Sequence, residues 1–339
     1  MSQMKIRNED PSAQQPLVSV VMSCFNDEVH VEQSVRSLQR QTLSRWELVA
    51  IDDGSTDRTG KLLCKLAEQD SRIRIIHQEN SGLTAALILG CREAKADIIA
   101  RQDADDVSHP ERLALQLDLL ASSPTLGFVS CFANYVGPAG EFLSTVTRSP
   151  DPAQATTELL NERIGPPAHG TVMFRRSVYD QVGGYRLPFY YAQDADLWLR
   201  MAEVSEIGYV PSPLYDFRWH PGSITGSGRS LQREFGRLGQ RCRQARCMGE
   251  DETPLLEEVE GVRKLAITAR NERQRRTSNQ TSMNYQIGSQ LVRNGDIRAR
   301  GYLKKVLAAS PLHVKAWIRL AQSCLSGKKQ IASSEGSSL

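Results

Sequence analysis

The chain has 339 residues, of which 40% are hydrophobic and 24% charged, a composition typical of a globular protein with one large domain and a smaller one. No apolar run of about 18 residues occurs, which excludes a conventional membrane-spanning helix, and the seven cysteines form no CxxC pair, which argues against structural zinc. The net charge of +3 divides unevenly, because residues 229–339 carry 21 Lys and Arg against 10 Asp and Glu.

Strands and helices alternate in the prediction for the first 132 residues. Short apolar runs rich in β-branched residues are typical of buried strands, and stretches with helical spacing of apolar residues separate them. This alternation predicts βαβ units and therefore a mostly parallel, Rossmann-like α/β sheet flanked by helices. The predicted strands are 17–22, 46–51, 73–76 and 97–100, the predicted helices are 31–38, 61–67, 83–94 and 111–120, and a further apolar run covers 126–132.

The remaining chain falls into three predicted parts. Residues 133–228 combine glycine, proline and aromatic residues with short strands and one helix, and we expect them to extend the sheet and complete a domain of residues 17–228, whose first half is 17–132. Helical spacing predicts a helical C-terminal region over 229–325. The polar ends, 1–16 and 326–339, are predicted to be disordered.

Polar clusters follow three of the predicted strands, at 23–28, 52–57 and 103–106. The carboxyl ends of parallel strands lie along one edge of a sheet, and ligands of open α/β sheets bind beyond that edge. The sequence therefore predicts that these three clusters converge on an active site.

The strongest chemical signal is the trio of Asp103, Asp105 and Asp106 directly after a buried strand. Three carboxylates within four residues repel one another unless a cation lies among them, and oxygen ligands suit Mg²⁺ or Mn²⁺. The alternative is an acidic turn that caps the following helix.

Two further aspartate positions have alternative interpretations. Asp53, next to Asp52 at a strand end, can accept from a base N–H or a ribose hydroxyl, or can form a simple Asp-Gly turn. Asp194 begins a predicted helix and is either a cap or a general base. The aromatic residues at 189–191 precede it and are expected to form a stacking surface for a sugar or a nucleobase.

The histidines at 169 and 220 lie in loops beside predicted strands. Each is either a structural hydrogen-bonding residue or a ligand, and His220 is the better metal candidate, because imidazole is a common metal ligand. Arg218, two residues before it, is predicted to offset diphosphate charge.

Several enzyme classes are disfavoured by absent motifs. No GxGxxG follows the first strand, and neither GxxxxGK[ST] nor GxSxG occurs, which argues against dinucleotide oxidoreductases, P-loop kinases and α/β-hydrolases. No motif for reading a nucleic-acid groove is present, so no nucleic-acid partner is expected.

Taken together, six segments resemble family 2 glycosyltransferases of the GT-A fold, over residues 17 to about 225. Each segment alone is weak, but six in order at family-like spacing are specific. They are the opening strand 18–26, the turn 52–57, the Asn-x-Gly loop 78–83, the DxD block 101–106, the Gly-Gly-aromatic block 182–185 and the block 194–200.

The resemblance implies a nucleotide-sugar donor, expected to be a UDP-sugar, and a divalent cation, Mn²⁺ or Mg²⁺, under its diphosphate. It implies Asp194 as the base that deprotonates an acceptor hydroxyl, with inversion at the anomeric carbon. The implied nucleotide-binding residues are Ser23, Phe25, Asn26, Glu28, Asp52, Asp53, Asn80, Gly82, Asp103 and Ala104; the metal ligands are Asp103, Asp105 and His220; and further substrate contacts are His169, Gly183, Gly184, Tyr185, Trp198 and Arg218.

Departures from the family pattern concern the details of the site. Ser23 replaces the usual proline of the opening strand, and Gln193 replaces the usual glutamate before the base, which removes a neighbouring negative charge and should lower the proton affinity of Asp194. No Gln-x-x-Arg-Trp block occurs, which argues against a processive polysaccharide synthase.

The predicted function is an inverting, metal-dependent glycosyltransferase of surface polysaccharide, glycolipid or glycoprotein synthesis. The main alternative is a catalytically weak scaffold protein that binds nucleotide sugars, and a nucleotidyltransferase ranks below both, since it needs a basic Gly-rich loop after the first strand.

We expect a cytoplasmic protein. Basic residues at 263, 264, 270, 273, 275 and 276 predict either a peripheral contact with anionic lipid on the cytosolic face or a solvated helix face.

Overall fold

The computed structural model describes residues 15–220, 229–273 and 279–335, apart from the side chains of 229–230, 269–273, 279 and 325–335. The predicted N-terminal lead therefore lies almost wholly outside the described residues. The chain divides into two compact units, and the division differs from the predicted boundary at residue 228. The first unit is Met1–Ala133, Val146–Phe217 and Arg233–Lys264, and the second is Asn134–Thr145, Arg218–Gln232 and Leu265–Leu339.

A sheet of nine strands carries the fold. Its strand order is β3-β2-β1-β4-β8-β6-β9-β5, with β7 paired to β6. The pairs β1–β2, β1–β4 and β2–β3 are parallel, as predicted, whereas β4–β8, β6–β8 and β5–β9 are antiparallel, so the sheet is mixed. The strands are β1 Val18–Cys24, β2 Trp46–Asp53, β3 Ile73–Gln78, β4 Ile98–Asp103, β5 Val107–Ser108, β6 Leu126–Val136, β7 Phe142–Val146, β8 Met173–Arg175 and β9 Glu206–Arg218.

Helices cover both faces of the parallel strands. Val20 of β1 packs in a cluster with Val35 of the first helix, whereas the next residue, Val21, packs in a cluster with Leu87 and Trp198. Burial on both faces explains why β1 is apolar without alternation. Up to residue 273, the α-helices of the described residues are α1 Val31–Gln39, α2 Thr59–Gln69, α3 Leu83–Glu93, α4 Arg112–Ser122, α5 Pro152–Glu162, α6 Arg176–Gln181, α7 Gln193–Ala202, α8 Arg229–Met248 and α9 Thr253–Arg273.

The three central strands end together. Cys24 lies opposite Asp52 of β2, and Ser23 lies opposite Asp103 of β4. Both β2 and β4 extend beyond the predicted ends at 51 and 100, because backbone pairing continues through their polar residues. The register places the polar ends of β1, β2 and β4 along one edge, as the sequence predicts.

The second unit contains three consecutive helices, α10 Asn279–Arg293, α11 Ala299–Ala309 and α12 Val314–Glu335. Ile287 and Leu291 of α10 pack in one buried cluster with Leu303 and Val306 of α11. Helix α12 runs ten residues past the predicted end at 325, into the segment predicted to be disordered. Of the helices within the described ranges, none combines the length and the apolarity needed to cross a bilayer.

Candidate active site

Asp53, the last residue of β2, organises the first part of the site. Its Oδ1 accepts from Gln78 Nε2 at 2.6 Å and from the Ser81 N–H at 2.8 Å, while its Oδ2 accepts from the Gly82 N–H at 2.9 Å. Asn80 Nδ2 donates to the Asp53 carbonyl at 2.9 Å. This buried carboxylate therefore fixes the Asn-x-Gly loop before α3, and we call residues 52–57 the Asp53 turn.

The loop after β1 is tied to the same turn. Asn26 has a φ of +52°, a conformation that asparagine tolerates better than most residues, and its Oδ1 accepts from the Thr56 N–H at 2.7 Å. Glu28 Oε2 accepts from both the N–H and the Nε of Arg58, each at 3.0 Å. These hydrogen bonds with Arg58 lower the pKa of Glu28. The predicted nucleotide-binding residues of β1 and β2 thus form one hydrogen-bonded loop pair.

Asp103, Asp105 and Asp194 form the second part of the site, which we call the acidic cluster. Asp103 is one-quarter exposed, and its Oδ1 accepts from Arg101 Nη2 at 2.9 Å. Its Oδ2 accepts from the Gly170 N–H at 3.1 Å. Burial raises the pKa of Asp103 to about 6, with the charges of Asp105 and Asp194 adding to this and Arg101 opposing it. Asp105 and Asp194 therefore lie near enough to Asp103 for their charges to act on it.

Arg101 is fully buried beneath the cluster and was not singled out by the sequence. Its guanidinium donates to Asp103, to the carbonyl of Val21 and to His169 Nε2, the last at 3.4 Å. Burial, with the nearby Arg101 charge, holds the pKa of His169 well below its usual range. The Tyr185 hydroxyl lies 2.6 Å from the same Nε2. His169 is therefore a neutral supporting residue for Arg101 and Tyr185.

Gln102 holds the turn that carries Asp105, another role that sequence patterns did not reveal. Its Nε2 donates to the carbonyls of Asp103 and Asp106, both at 3.1 Å, and its Oε1 accepts from Ser108 Oγ at 2.6 Å. The Tyr215 hydroxyl accepts from the Asp103 N–H at 3.1 Å. Buried polar groups that are satisfied in this way make a turn rigid.

Asp194 lies in the first turn of α7. Its Oδ1 accepts from the Ala195 N–H at 2.8 Å. Burial raises the pKa of Asp194, opposed by hydrogen bonds from the first turn of the helix and by the Arg101 charge. The environment therefore makes Asp194 a stronger base than an exposed aspartate, although the glutamine before it was expected to weaken it. Two residues on, Asp196 pairs with Arg186 and Arg200 and anchors the helix.

The aromatic loop before α7 lies beside the Asp53 turn. Thr84 Oγ1 donates to the Phe189 carbonyl at 2.7 Å. A Cβ added at Gly82 would meet the Tyr190 ring at 3.4 Å, so the ring touches the Asn-x-Gly loop. Phe189 is buried, whereas Tyr190 is half-buried, so the Tyr190 ring is the better candidate for a contact with a ligand.

Several residues that were predicted to contact a substrate are buried in the structure. Trp198 and Tyr185 are 3% and 4% exposed, and Trp198 packs against Phe128, Phe174 and His169, so it belongs to the core. Ala104 is likewise buried. The structure therefore does not support direct substrate contact by these side chains.

The paired glycines after α6 have a conformational role. Gly183 and Gly184 have φ values of +77° and +65°, which favour glycine, and the Gly184 N–H donates to the Tyr179 carbonyl at 2.8 Å. A Cβ at Gly184 would approach the Tyr179 ring to 2.6 Å. The turn places Tyr185 so that its N–H donates to the Tyr179 hydroxyl at 3.2 Å.

Arg218 and His220 belong to the second unit. Arg218 is 4% exposed and its Nη1 donates to the Pro138 carbonyl at 3.0 Å, so its guanidinium is buried at the end of β9. This burial does not support the predicted contact with a diphosphate. The role of His220 as a metal ligand stays a prediction.

A complete metal-ligand set is not preformed: within the described residues, no group of three or more His, Cys, Asp or Glu side chains is arranged to hold a metal ion. Mg²⁺ normally keeps several waters and takes one or two carboxylates together with substrate phosphates. Asp103 and Asp105 provide that smaller donor set, and their mutual repulsion with Asp194 would be relieved by a cation.

Sequence comparisons agree with this geometry. The model of the family described as "Glycosyl transferase family 2" matches residues 19–183. The chain is 34% identical over 212 residues to "Putative glycosyltransferase EpsE" of Bacillus subtilis, an alignment that covers 60% of this chain and 73% of that protein. It is also 27% identical over 221 residues to the hyaluronan synthase of Pasteurella multocida, which covers 65% of this chain and only 22% of that protein.

Solved structures share the fold at low sequence identity. The S. aureus TarS fragment 1-349 in complex with UDP-GlcNAc matches with a TM-score of 0.55 and 17% identity, covering 90% of this chain and 88% of that one. The mannosyltransferase PcManGT of Pyrobaculum calidifontis, in complex with GDP-Man and Mn²⁺, matches with a TM-score of 0.52 and 18% identity, covering 94% and 88%. The mixed sheet with flanking helices is thus a GT-A fold.

Proposed function

This chain belongs to the family 2 glycosyltransferases, and we propose that it transfers a sugar from a nucleotide-diphosphate sugar to a hydroxyl acceptor with inversion. The observation that carries the proposal is the acidic cluster: burial raises the pKa of Asp103 to about 6, and the nearby charges of Asp105 and Asp194 add to this shift. Folding places these charges together at a cost in free energy. A bound cation would offset this cost, and the same negative charges favour proton acceptance by a carboxylate such as Asp194.

A divalent cation, Mn²⁺ or Mg²⁺, is proposed to bind at Asp105 with help from Asp103. When bound, the ion stabilises negative charge on the departing diphosphate. Arg101 already neutralises part of the charge of Asp103, at 2.9 Å. Asp105 is therefore proposed to contribute most of the ionic attraction to the cation, and Asp103 would contribute a carboxylate oxygen.

Asp194 is proposed to be the general base. Its raised pKa gives it a higher affinity for the acceptor proton than an exposed aspartate has. A carboxylate that accepts this proton strengthens the attacking oxygen on the face of the sugar opposite the diphosphate. That arrangement predicts a single displacement and inversion at the anomeric carbon.

The nucleoside of the donor is proposed to lie over the Asp53 turn, beside the Tyr190 ring. The hydrogen bonds that fix residues 80–82 to Asp53 support this placement, because they hold the loop in one conformation before any ligand binds. UDP complexes are known for the structural neighbour TarS, and UDP is the nucleotide we expect here.

The proposal is tested with purified full-length protein, Mn²⁺ and a panel of UDP-, GDP- and TDP-sugars. We expect nucleotide release from at least one donor, stimulated by Mn²⁺, and transfer when a suitable hydroxyl acceptor is added. Nucleotide binding without release or transfer for any donor and acceptor would favour the scaffold alternative, and no binding at all would contradict both.

The acceptor is proposed to be a lipid-linked or surface glycan, reached from an anionic membrane surface. At the start of α12, the exposed side chains Leu312, Val314, Trp317 and Ile318 are 93%, 67%, 55% and 53% exposed. Lys315 and Arg319 lie among them in the sequence. Apolar residues beside basic ones suit an interfacial contact with anionic lipid.

Basic residues predicted for this contact are less informative. Arg263 pairs with Glu260 at 3.0 Å, while the side chains of 270 and 273 and residues 275 and 276 lie outside the described residues. Co-sedimentation with vesicles of phosphatidylglycerol and phosphatidylcholine tests the proposal. We expect Trp317→Ala to reduce binding to these vesicles, whereas Trp46, which is buried in the core, should make no contact with the lipid. Binding that is insensitive to anionic lipid would contradict the proposal.

A further inference from the structure

A second cluster of reactive groups adjoins the Asp53 turn, and the proposed reaction uses neither its thiol nor its imidazole. It lines a cleft of about 490 Å³ that opens between α2 and β3. The cleft contains a thiol, an imidazole, two lysines and two carboxylates. Its lining residues are Ser55, Asp57, Gly60, Lys61, Cys64, Lys65, Glu68 and His77.

Cys64, His77 and Asp52 form a chain of hydrogen bonds at this cleft. The Cys64 sulfur lies 3.8 Å from His77 Nε2, and His77 Nδ1 lies 2.9 Å from Asp52 Oδ2. An ionised carboxylate can only accept, so the proton of the imidazole resides on Nδ1. Nε2 is then an acceptor directed at the thiol, which is the arrangement that activates a cysteine nucleophile.

The local sequence builds this arrangement. Gly60 lies in the first turn of α2, where an added Cβ would meet Asp52 Oδ2 at 2.6 Å, so only glycine lets the helix approach the Asp52–His77 pair. Lys61 lies three residues before Cys64 and Glu68 lies four residues after it, so both share a helix face with the thiol. The cleft as a whole has two lysines and two carboxylates in its lining.

The other cysteines differ in a way that provides a comparison. Cys24, Cys91, Cys131 and Cys242 are buried, and burial raises the pKa of Cys91 to about 11 and of Cys131 to about 12. Cys247 and Cys324 are exposed like Cys64. In the described parts of the chain, neither of these two sulfurs makes a hydrogen bond to a histidine.

We infer that Cys64 is a site of thiol–disulfide exchange with small disulfides, with His77 as its base and Asp52 as the residue that orients the imidazole. The Cys64 sulfur attacks one sulfur of the disulfide while its proton passes to His77 Nε2. A mixed disulfide with Cys64 forms, the original S–S bond breaks, and the second half leaves as a thiolate that takes the proton. The small disulfide is the oxidant, and Cys64 is oxidised.

The test is site-resolved labelling of the full-length chain with the anionic disulfide 5,5′-dithiobis(2-nitrobenzoate), followed by quenching and peptide mass spectrometry. Cys247 and Cys324 report the rate of an exposed thiol in the same sample. We expect Cys64 to react at least about tenfold faster than either, because an adjacent base assists proton transfer. Equal rates at the three cysteines would overturn the inference.

His77→Asn separates activation from simple exposure. It should slow Cys64 to the rate of Cys247, while the rates of Cys247 and Cys324 stay unchanged and show that the variant is folded. An unchanged rate at Cys64 in this variant would remove His77 from the mechanism and overturn the inference. None of these rates depends on whether the chain transfers a sugar.

Discussion

The Asp53 turn follows β2 and the Asp103 end of the acidic cluster follows β4, the two strands that flank β1 in one sheet, yet their carboxylates are held in opposite ways. Asp53 accepts from three donors on residues 78–82, at 2.6 to 2.9 Å. Asp103 has Arg101 and the Gly170 N–H as partners, but it also faces two other carboxylates, which contribute to raising its pKa to about 6. The carboxylate of Asp53 therefore has hydrogen-bond donors on both oxygens, whereas the carboxylate of Asp103 lies near two other negative charges.

This difference separates two tasks that a donor site must perform. A loop fixed by internal hydrogen bonds loses little conformational entropy when a nucleoside binds to it. Carboxylates that repel one another favour a cation and raise proton affinity. We therefore expect changes in the Asp53 turn to affect stability and binding, and changes in the acidic cluster to affect metal dependence and turnover.

Asp194→Asn should have the largest effect. The amide cannot accept the acceptor proton, so turnover is expected to fall about 10²–10⁴-fold, while the affinity for the nucleotide changes little. Steady-state kinetics and calorimetry on the same preparation measure the two quantities. The exposed Asp118→Asn is the matched control and should retain full activity. Full activity in Asp194→Asn would refute the assignment of the base.

Arg101→Gln tests whether the acidic cluster depends on its buried counter-charge. Removal of a buried partner leaves Asp103 uncompensated, and we expect the free energy of unfolding to fall by about 3–5 kcal/mol. Denaturant unfolding measures this loss. The control Arg36→Gln breaks an exposed pair with Glu32, at 2.7 Å, and should cost less than about 1 kcal/mol. Equal losses in the two variants would contradict the structural role of Arg101.

Asp53→Asn should have the smallest effect of the three. Asparagine keeps one acceptor oxygen and directs an NH₂ group at one of the backbone N–H donors, so we expect a loss of about 1–3 kcal/mol in stability. Nucleotide affinity should fall with it, while the Mn²⁺ dependence of binding is retained. Loss of the Mn²⁺ dependence in this variant would show that the two regions are not separate in function.

Apolar patterning predicted the parallel strands well, because strands buried on both faces are continuous runs such as Val18–Met22. It placed the ends of β2 and β4 too early, since Asp52 and Arg101 are polar residues that continue the backbone ladder. The antiparallel half of the sheet was not predicted, because its pairings join residues far apart in the chain.

For the candidate site, Asp53, Asp103 and Asp105 were singled out from their position after strands, whereas the residues that support them were not. Only the fold shows that the guanidinium of Arg101 is buried and bonded to Asp103. Conversely, Trp198 was expected to contact a substrate, but its ring is in the core.

The measurement that tests the central claim most directly is calorimetric titration of UDP into the full-length protein, with and without Mn²⁺, for the wild type and Asp105→Ala. If the acidic cluster binds a cation that contacts the diphosphate, Mn²⁺ should strengthen nucleotide binding in the wild type and have no effect in Asp105→Ala. Equal stimulation by Mn²⁺ in the two proteins, or none in the wild type, would contradict the proposal.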